Sequence, residues 1–162
     1  MEVYNRYQHA MFNVAMRITK DTAEAEDVMQ ESFITAFSKL DSFKGEATFG
    51  AWLKRIVINN SLTQYRKSHR YVMVSDKLIA NETEEDEAGW EEENYSQLQS
   101  RQLLSCMEEL HDSYRTILNL HFIEGYDYDE LCAILSISYS NCRTLMSRAK
   151  ESLRKKLAAV TA

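Results

Sequence analysis

The stretch Trp52-Leu53-Lys54-Arg55-Ile56-Val57-Ile58-Asn59-Asn60-Ser61-Leu62-Thr63-Gln64-Tyr65-Arg66-Lys67-Ser68-His69-Arg70 lies within a run, Ala47 to Ser75, that holds no Asp or Glu. The chain around it has a net charge of −6. Wound at ~100° per residue, the stretch brings Trp52, Arg55, Asn59, Thr63, Arg66 and Arg70 onto one stripe about a quarter-turn wide. Leu53, Ile56 and Val57 flank one side of it, and Ile58, Leu62 and Tyr65 flank the other. The pattern predicts a helix gripped by core on both flanks that presents a cationic, hydrogen-bonding stripe. Cations there can neutralise phosphates, Asn59 can pair with a base edge, and Trp52 can stack on an unpaired base. A solvated helix face whose Trp is simply core fits the charge pattern equally well.

Outward from this helix, composition predicts an all-α chain. The 162 residues contain no proline and four glycines, so little forces a helix to break, and apolar spacing is helical almost throughout. No apolar run approaches the ~18 residues of a bilayer span, and Met1 to Arg6 does not resemble a signal peptide, so no membrane insertion and a cytoplasmic location are expected. Cys106, Cys132 and Cys142 lack paired spacing and read as reduced, mostly buried thiols. With His9, His69, His111 and His121 they form no metal-ligand pattern. Without HExxH, a glycine-rich phosphate loop or an obvious carboxylate pair, the chain reads as a non-enzyme that needs no cofactor.

Charge divides the chain further. Asp76 to Glu93 holds nine acids and one base; removing it leaves 25 − 9 = 16 acids against 19 − 1 = 18 bases. The expected organisation is a helical domain over residues 1–71, a flexible acidic linker over 72–97, and a second helical domain over 98–162. The first domain begins with a helix from Tyr4 to Thr19. A second follows, capped by Asp21 or Thr22, with Ala23, Ala25, Val28, Met29, Ser32, Phe33, Ala36, Phe37 and Leu40 as its apolar residues. Glu24, Asp27, Gln30 and Glu31 form its polar face. Asp41 to Gly50 interrupts the helices and carries Phe43, which is either a lid on the local core or a stacking surface. In the second domain, Leu98 to Leu110 and Tyr114 to Phe122 predict two helices, the second ended by Gly125. A short helix, Asp127 to Leu135, then a turn at Ser136 to Tyr139 and a terminal helix capped by Ser140 make a helix-turn-helix. Its last helix carries Arg143, Thr144, Ser147, Arg148, Lys150 and Arg154 opposite Cys142, Leu145, Met146, Ala149 and Leu153. An ordinary helical hairpin with a solvated end is the plainer alternative.

Particular strings go beyond pattern. Asp27-Val-Met-Gln-Glu-Ser-Phe33, the run Phe43 to Ile56, Asn59 and Tyr65-Arg66 resemble the second conserved region of bacterial sigma factors. Gly125-Tyr-Asp-Tyr-Asp-Glu-Leu131 through Arg148-Ala-Lys150 and Leu153-Arg154 resembles the fourth. With both regions in order, the chain is identified as a member of the extracytoplasmic-function (ECF) group of the sigma-70 family. The resemblance implies an RNA polymerase sigma factor that directs promoter recognition, melting and initiation. Its implied partners are core RNA polymerase, met at the beta-prime clamp helices and beta flap, promoter DNA, and in many members an anti-sigma factor. Asp27, Gln30 and Glu31 match the clamp-helix contact. The minus-ten set is Phe43, Trp52, Arg55, Asn59, Thr63, Arg66 and Lys67, with Phe43 at a flipped base. The minus-thirty-five set is Asn141, Arg143, Thr144, Ser147 and Arg148. The acidic linker would lie in the RNA exit path as a second flexible polyanion. Leu145, Ser136, Tyr139 and Thr63 depart from the family's common Arg, Gly, small aliphatic and Asp. The rival reading is a helix-turn-helix regulator that binds duplex DNA without polymerase.

Overall fold

A computed structural model describes residues 1–69 and 97–161; the linker, Trp90 and Arg70 lie outside the described residues. These form two compact units on either side of residues 70–96. All regular elements among the described residues are helical.

The first unit is three helices, each packed on the other two. α1 (Glu2–Thr19) buries Met11, Val14, Ala15 and Ile18. It stops at Lys20, whose left-handed backbone (φ 57°) lets its N–H reach the Met16 carbonyl. α2 (Thr22–Ser38) starts at the expected cap: the Asp21 carboxylate accepts the Glu24 N–H at 2.9 Å. α3 (Phe49–His69) starts at Thr48, whose hydroxyl accepts the Ala51 N–H at 3.2 Å. The interruption before it is partly regular, with a 3-10 turn at Leu40–Ser42. Gly50, expected in that interruption, lies in the first turn of α3. A Cβ there would stand 3.0 Å from the Tyr7 ring, so glycine permits the close approach of α1 and α3.

Leu53, Val57, Ile58, Leu62 and Tyr65 fill the core from α3, each aliphatic side chain worth ~1.5–3 kcal/mol of burial. Ile56 is only half-buried. From α2 the core takes Ala25, Val28, Met29, Ser32, Phe33 and Ala36, and Asn60 donates to the Ser32 hydroxyl at 3.0 Å across the α2–α3 seam. Phe37 and Leu40, expected with that core, are instead about half exposed, and Ile34 is 70% exposed. α2 carries apolar residues around more of its circumference than two neighbouring helices can cover.

The second unit contains α4 (Gln97–Glu108), α5 (Asp112–Leu118), a π turn (Asn119–Ile123), α6 (Tyr128–Leu135) and α7 (Tyr139–Thr161). Its core runs from Cys106, Met107 and Leu110 through Ile117, Leu118 and Leu120 to Leu131, Ile134 and Leu135, and is closed by Cys142, Leu145, Met146, Ala149 and Leu153 of α7. The π turn displaces Phe122 from the apolar series expected of it, leaving it 52% exposed. Gly125 (φ 79°) then reverses the chain into a capping box: Asp127 accepts the Glu130 N–H at 2.8 Å, and Glu130 accepts the Asp127 N–H at 2.9 Å.

α6 ends at Ser136, left-handed at φ 56° and ψ 46°, and α7 begins three residues on. The cap of α7 is Ser138, not Ser140: the Ser138 hydroxyl accepts the Asn141 N–H at 3.2 Å and its carbonyl accepts the Cys142 N–H. Arg115, which periodicity did not single out, is buried on α5 and paired with Asp112 at 2.8 Å.

Candidate nucleic-acid interfaces

In the first unit the rings come together first. Phe43 lies 5.2 Å from Trp52 and 5.9 Å from Phe49, centroid to centroid; Phe49 also meets Trp52 at 5.7 Å and Tyr7 at 5.6 Å. Phe43 and Trp52 are both half-buried. The loop aromatic is thus a lid on the start of α3 that keeps part of its ring outward. Trp52 belongs to the same cluster, which fits the plainer reading of that residue.

Further along α3 the stripe is as the helical spacing predicts. Asn59, Thr63 and Lys67 are exposed, Arg55 and Arg66 are half-buried, and the intervening Val57, Ile58, Ser61 and Leu62 are buried. The Thr63 hydroxyl donates back to the Asn59 backbone carbonyl at 2.9 Å. At the end of the helix Ser68 bonds to the Glu24 carboxylate and to Gln64, tying α3 to α2.

On α2, Asp27, Gln30 and Glu31 are exposed and share the outward face with Ile34 and Phe37. At ~100° per residue Ile34 stands at the centre of that face, between Asp27 and Gln30. An acidic rim about an apolar centre is the composition of a protein-contact surface. Helical spacing of polar residues singles out only its polar half.

In the second unit α7 divides as expected. Arg143 and Ser147 are exposed, while Asn141, Thr144 and Arg148 are half-buried. Thr144 donates to the Ser140 carbonyl at 3.1 Å, which fixes its hydroxyl along the helix. Leu145 is core, so a cation there would be buried. Further along α7, Lys150 sits 5.9 Å over the Phe122 ring, Arg154 and Lys155 lie by Glu151, and Lys156 by Glu109. Tyr139, at the start of α7, is 51% exposed and was not among the candidates.

Among the described residues no group of three or more His, Cys, Asp or Glu is placed to hold a metal ion, and no helix is long and apolar enough to cross a membrane.

Comparison with known proteins adds what geometry alone does not. Residues 3–71 match the family model described as Sigma-70 region 2, and residues 100–153 match Sigma-70, region 4. The chain is 31% identical over 160 residues to the ECF RNA polymerase sigma-E factor of Salmonella typhimurium, covering 94% of this chain and 83% of that one. It is 28% identical over 154 residues to the ECF RNA polymerase sigma factor SigM of Bacillus subtilis, covering 94% and 91%. Among solved structures it is similar in fold to the sigma factor RpoE of Bartonella quintana, crystallised with the anti-sigma factor NepR (TM-score 0.63, 24% identity, 97% of this chain and 95% of that one). The chain belongs to the sigma-70 family and is an RNA polymerase sigma factor of the ECF group.

Proposed function

We infer that the two units divide promoter recognition between them. The first, proposed to span residues 1–71, docks on core polymerase and holds the opened minus-ten strand. The second, residues 98–162, reads the duplex minus-thirty-five element. In this reading Asp27, Gln30 and Glu31, with Ile34 among them, meet the beta-prime clamp helices. Phe43 receives a flipped base above Trp52, Asn59 contacts a base edge, and Thr63 lines the same strand. Arg55, Arg66 and Lys67 hold its backbone. On α7, Arg143, Thr144, Ser147 and Arg148 face the major groove, and Asn141 its edge. The beta flap is the expected polymerase contact of the second unit. An anti-sigma factor that competes for these faces is the kind of regulator the reading calls for. The bond-making chemistry belongs to polymerase, and the site of action is the cytoplasm.

The observation that carries this reading is the pairing on α3 of exposed Asn59, Thr63 and Lys67 with a partly exposed Phe43 held over Trp52. A regulator of duplex DNA has no use for such a pairing, because stacking platforms act on unpaired bases. In the holoenzyme, Phe43→Ala and Asn59→Ala are expected to leave closed-complex affinity within about twofold. Thymine reactivity to permanganate near the start site should fall by roughly tenfold, the worth of one stacked base. Normal opening in both variants would remove the strand-holding role.

A further inference from the structure

The first residue of α7 is a tyrosine held out from the helix by a row of rings. Tyr139 is 51% exposed, and its ring lies 6.1 Å from that of Tyr128, the first residue of α6. Tyr128 in turn packs at 5.4 Å on His121, and His121 is fixed by a 2.7 Å contact between Nδ1 and the Tyr126 carbonyl. A single exposed ring on a surface is ordinary. This one is braced from below by elements that bond to one another, and it stands one turn before Arg143 on the same stripe of the helix.

In a helix-turn-helix the N-terminal residues of the second helix are the ones that reach base edges. A planar apolar ring at that place suits the C5-methyl group of thymine, which the major groove displays and which cytosine lacks. We propose that Tyr139 is a specificity-determining residue that packs against a thymine methyl beside the bases facing Arg143. The proposal rests on the assignment of α7 to duplex DNA. It adds a reader that the helical wheel of basic residues does not contain.

The test uses holoenzyme and a set of promoters varied at each position of the upstream element. Tyr139→Val is expected to lower affinity for the preferred element by roughly five- to tenfold and to flatten the preference for thymine at one position. Replacing that thymine by uracil, which removes only the methyl, should cost wild type a similar factor and cost the Tyr139→Val protein nothing. Tyr139→Phe, which keeps the ring, should rescue the preference. An equal loss on all sequences would make Tyr139 a backbone contact and overturn the proposal. So would an unchanged profile, or a uracil effect that survives in the Val variant. Arg143→Ala and Arg148→Ala are measured alongside. If they alter recognition and Tyr139→Val does not, this proposal alone fails; if none does, the assignment of α7 to DNA fails with it.

Discussion

Two thiols meet where α6 packs on α7. Cys142 is buried, its S–H directed at the Tyr128 carbonyl 4.0 Å away, and Cys132 beside it is half-buried. Burial, reinforced by the neighbouring Cys132 thiol and its hydrogen bond, pushes the Cys142 thiol up to about 12. The unfolded chain ionises this group near its ordinary 9, so between pH 9 and about 12 the folded state binds the extra proton. Stability from this group is intact below pH 9 and is lost as pH rises through that window, at no more than ~1.4 kcal/mol per pH unit. Urea unfolding of wild type and Cys142→Ala from pH 8 to 11 should show the wild-type advantage constant to pH 9 and shrinking above it. A constant difference throughout would mean that the thiol ionises freely in the fold. That these cysteines are reduced and mostly buried was legible from their number and spacing; that two of them touch was not, because it depends on the crossing of two helices. Arg115 was missed for a related reason. Hydrophobic periodicity ranks apolar residues only, whereas an arginine goes inside when a partner, here Asp112 at 2.8 Å, is set in place beside it.

At the scale of the element, caps and glycines were legible and faces less so. Asp21, Asp127 and Gly125 do what their types predict, because cap chemistry is local to four residues. The expected Ser140 cap starts α7 two residues later than the Ser138 cap found in the structure. Ser138 and Ser140 are equally good caps by type, and the choice is made by Ser136. Its left-handed backbone stops α6 abruptly and brings the Ile137 N–H to the Cys132 carbonyl, so the next helix can begin at once. A serine in that conformation pays a steric cost a glycine would not, and only the Gly common at this position in the family hints at it. The cap assignment is checkable. Ser138→Ala should cost about 1 kcal/mol in urea unfolding, while Ser140→Ala, whose side chain caps nothing, should stay within ~0.3 kcal/mol of wild type. The reverse order would move the start of α7 back to Ser140. The outward face of α2 was half legible: the acids and Gln30 stood out, but Ile34 and Phe37 were invisible as surface, since periodicity cannot say how much of an apolar helix its neighbours will cover.

For the whole molecule, charge and connectivity pose a problem that a partner solves. The net charge of −6 opposes approach to DNA, and nine of the acids lie between the two units. Each proposed DNA face offers few cations: Arg55, Arg66 and Lys67 on α3, Arg143 and Arg148 on α7. If all five meet phosphates, the salt slope is about −4 to −4.5, with modest affinity at physiological salt. Two such faces add their binding energies only when their spacing matches the two promoter elements. Core polymerase can set that spacing if α2 is anchored on it. Asp27, Gln30 and Glu31 suit a basic, hydrogen-bonding counterpart, since burying them against an apolar one would leave charges without donors. The isolated chain is therefore expected to bind promoter DNA weakly and with strong salt dependence, and tightly and selectively once core polymerase is added. Glu31→Lys, a reversal at an exposed position, should abolish core association in pull-down and with it promoter selectivity, while circular dichroism shows unchanged helix content. If the isolated chain holds one operator tightly, or if the reversal leaves core association intact, α2 is not the anchor and the two DNA faces must find their spacing by another route.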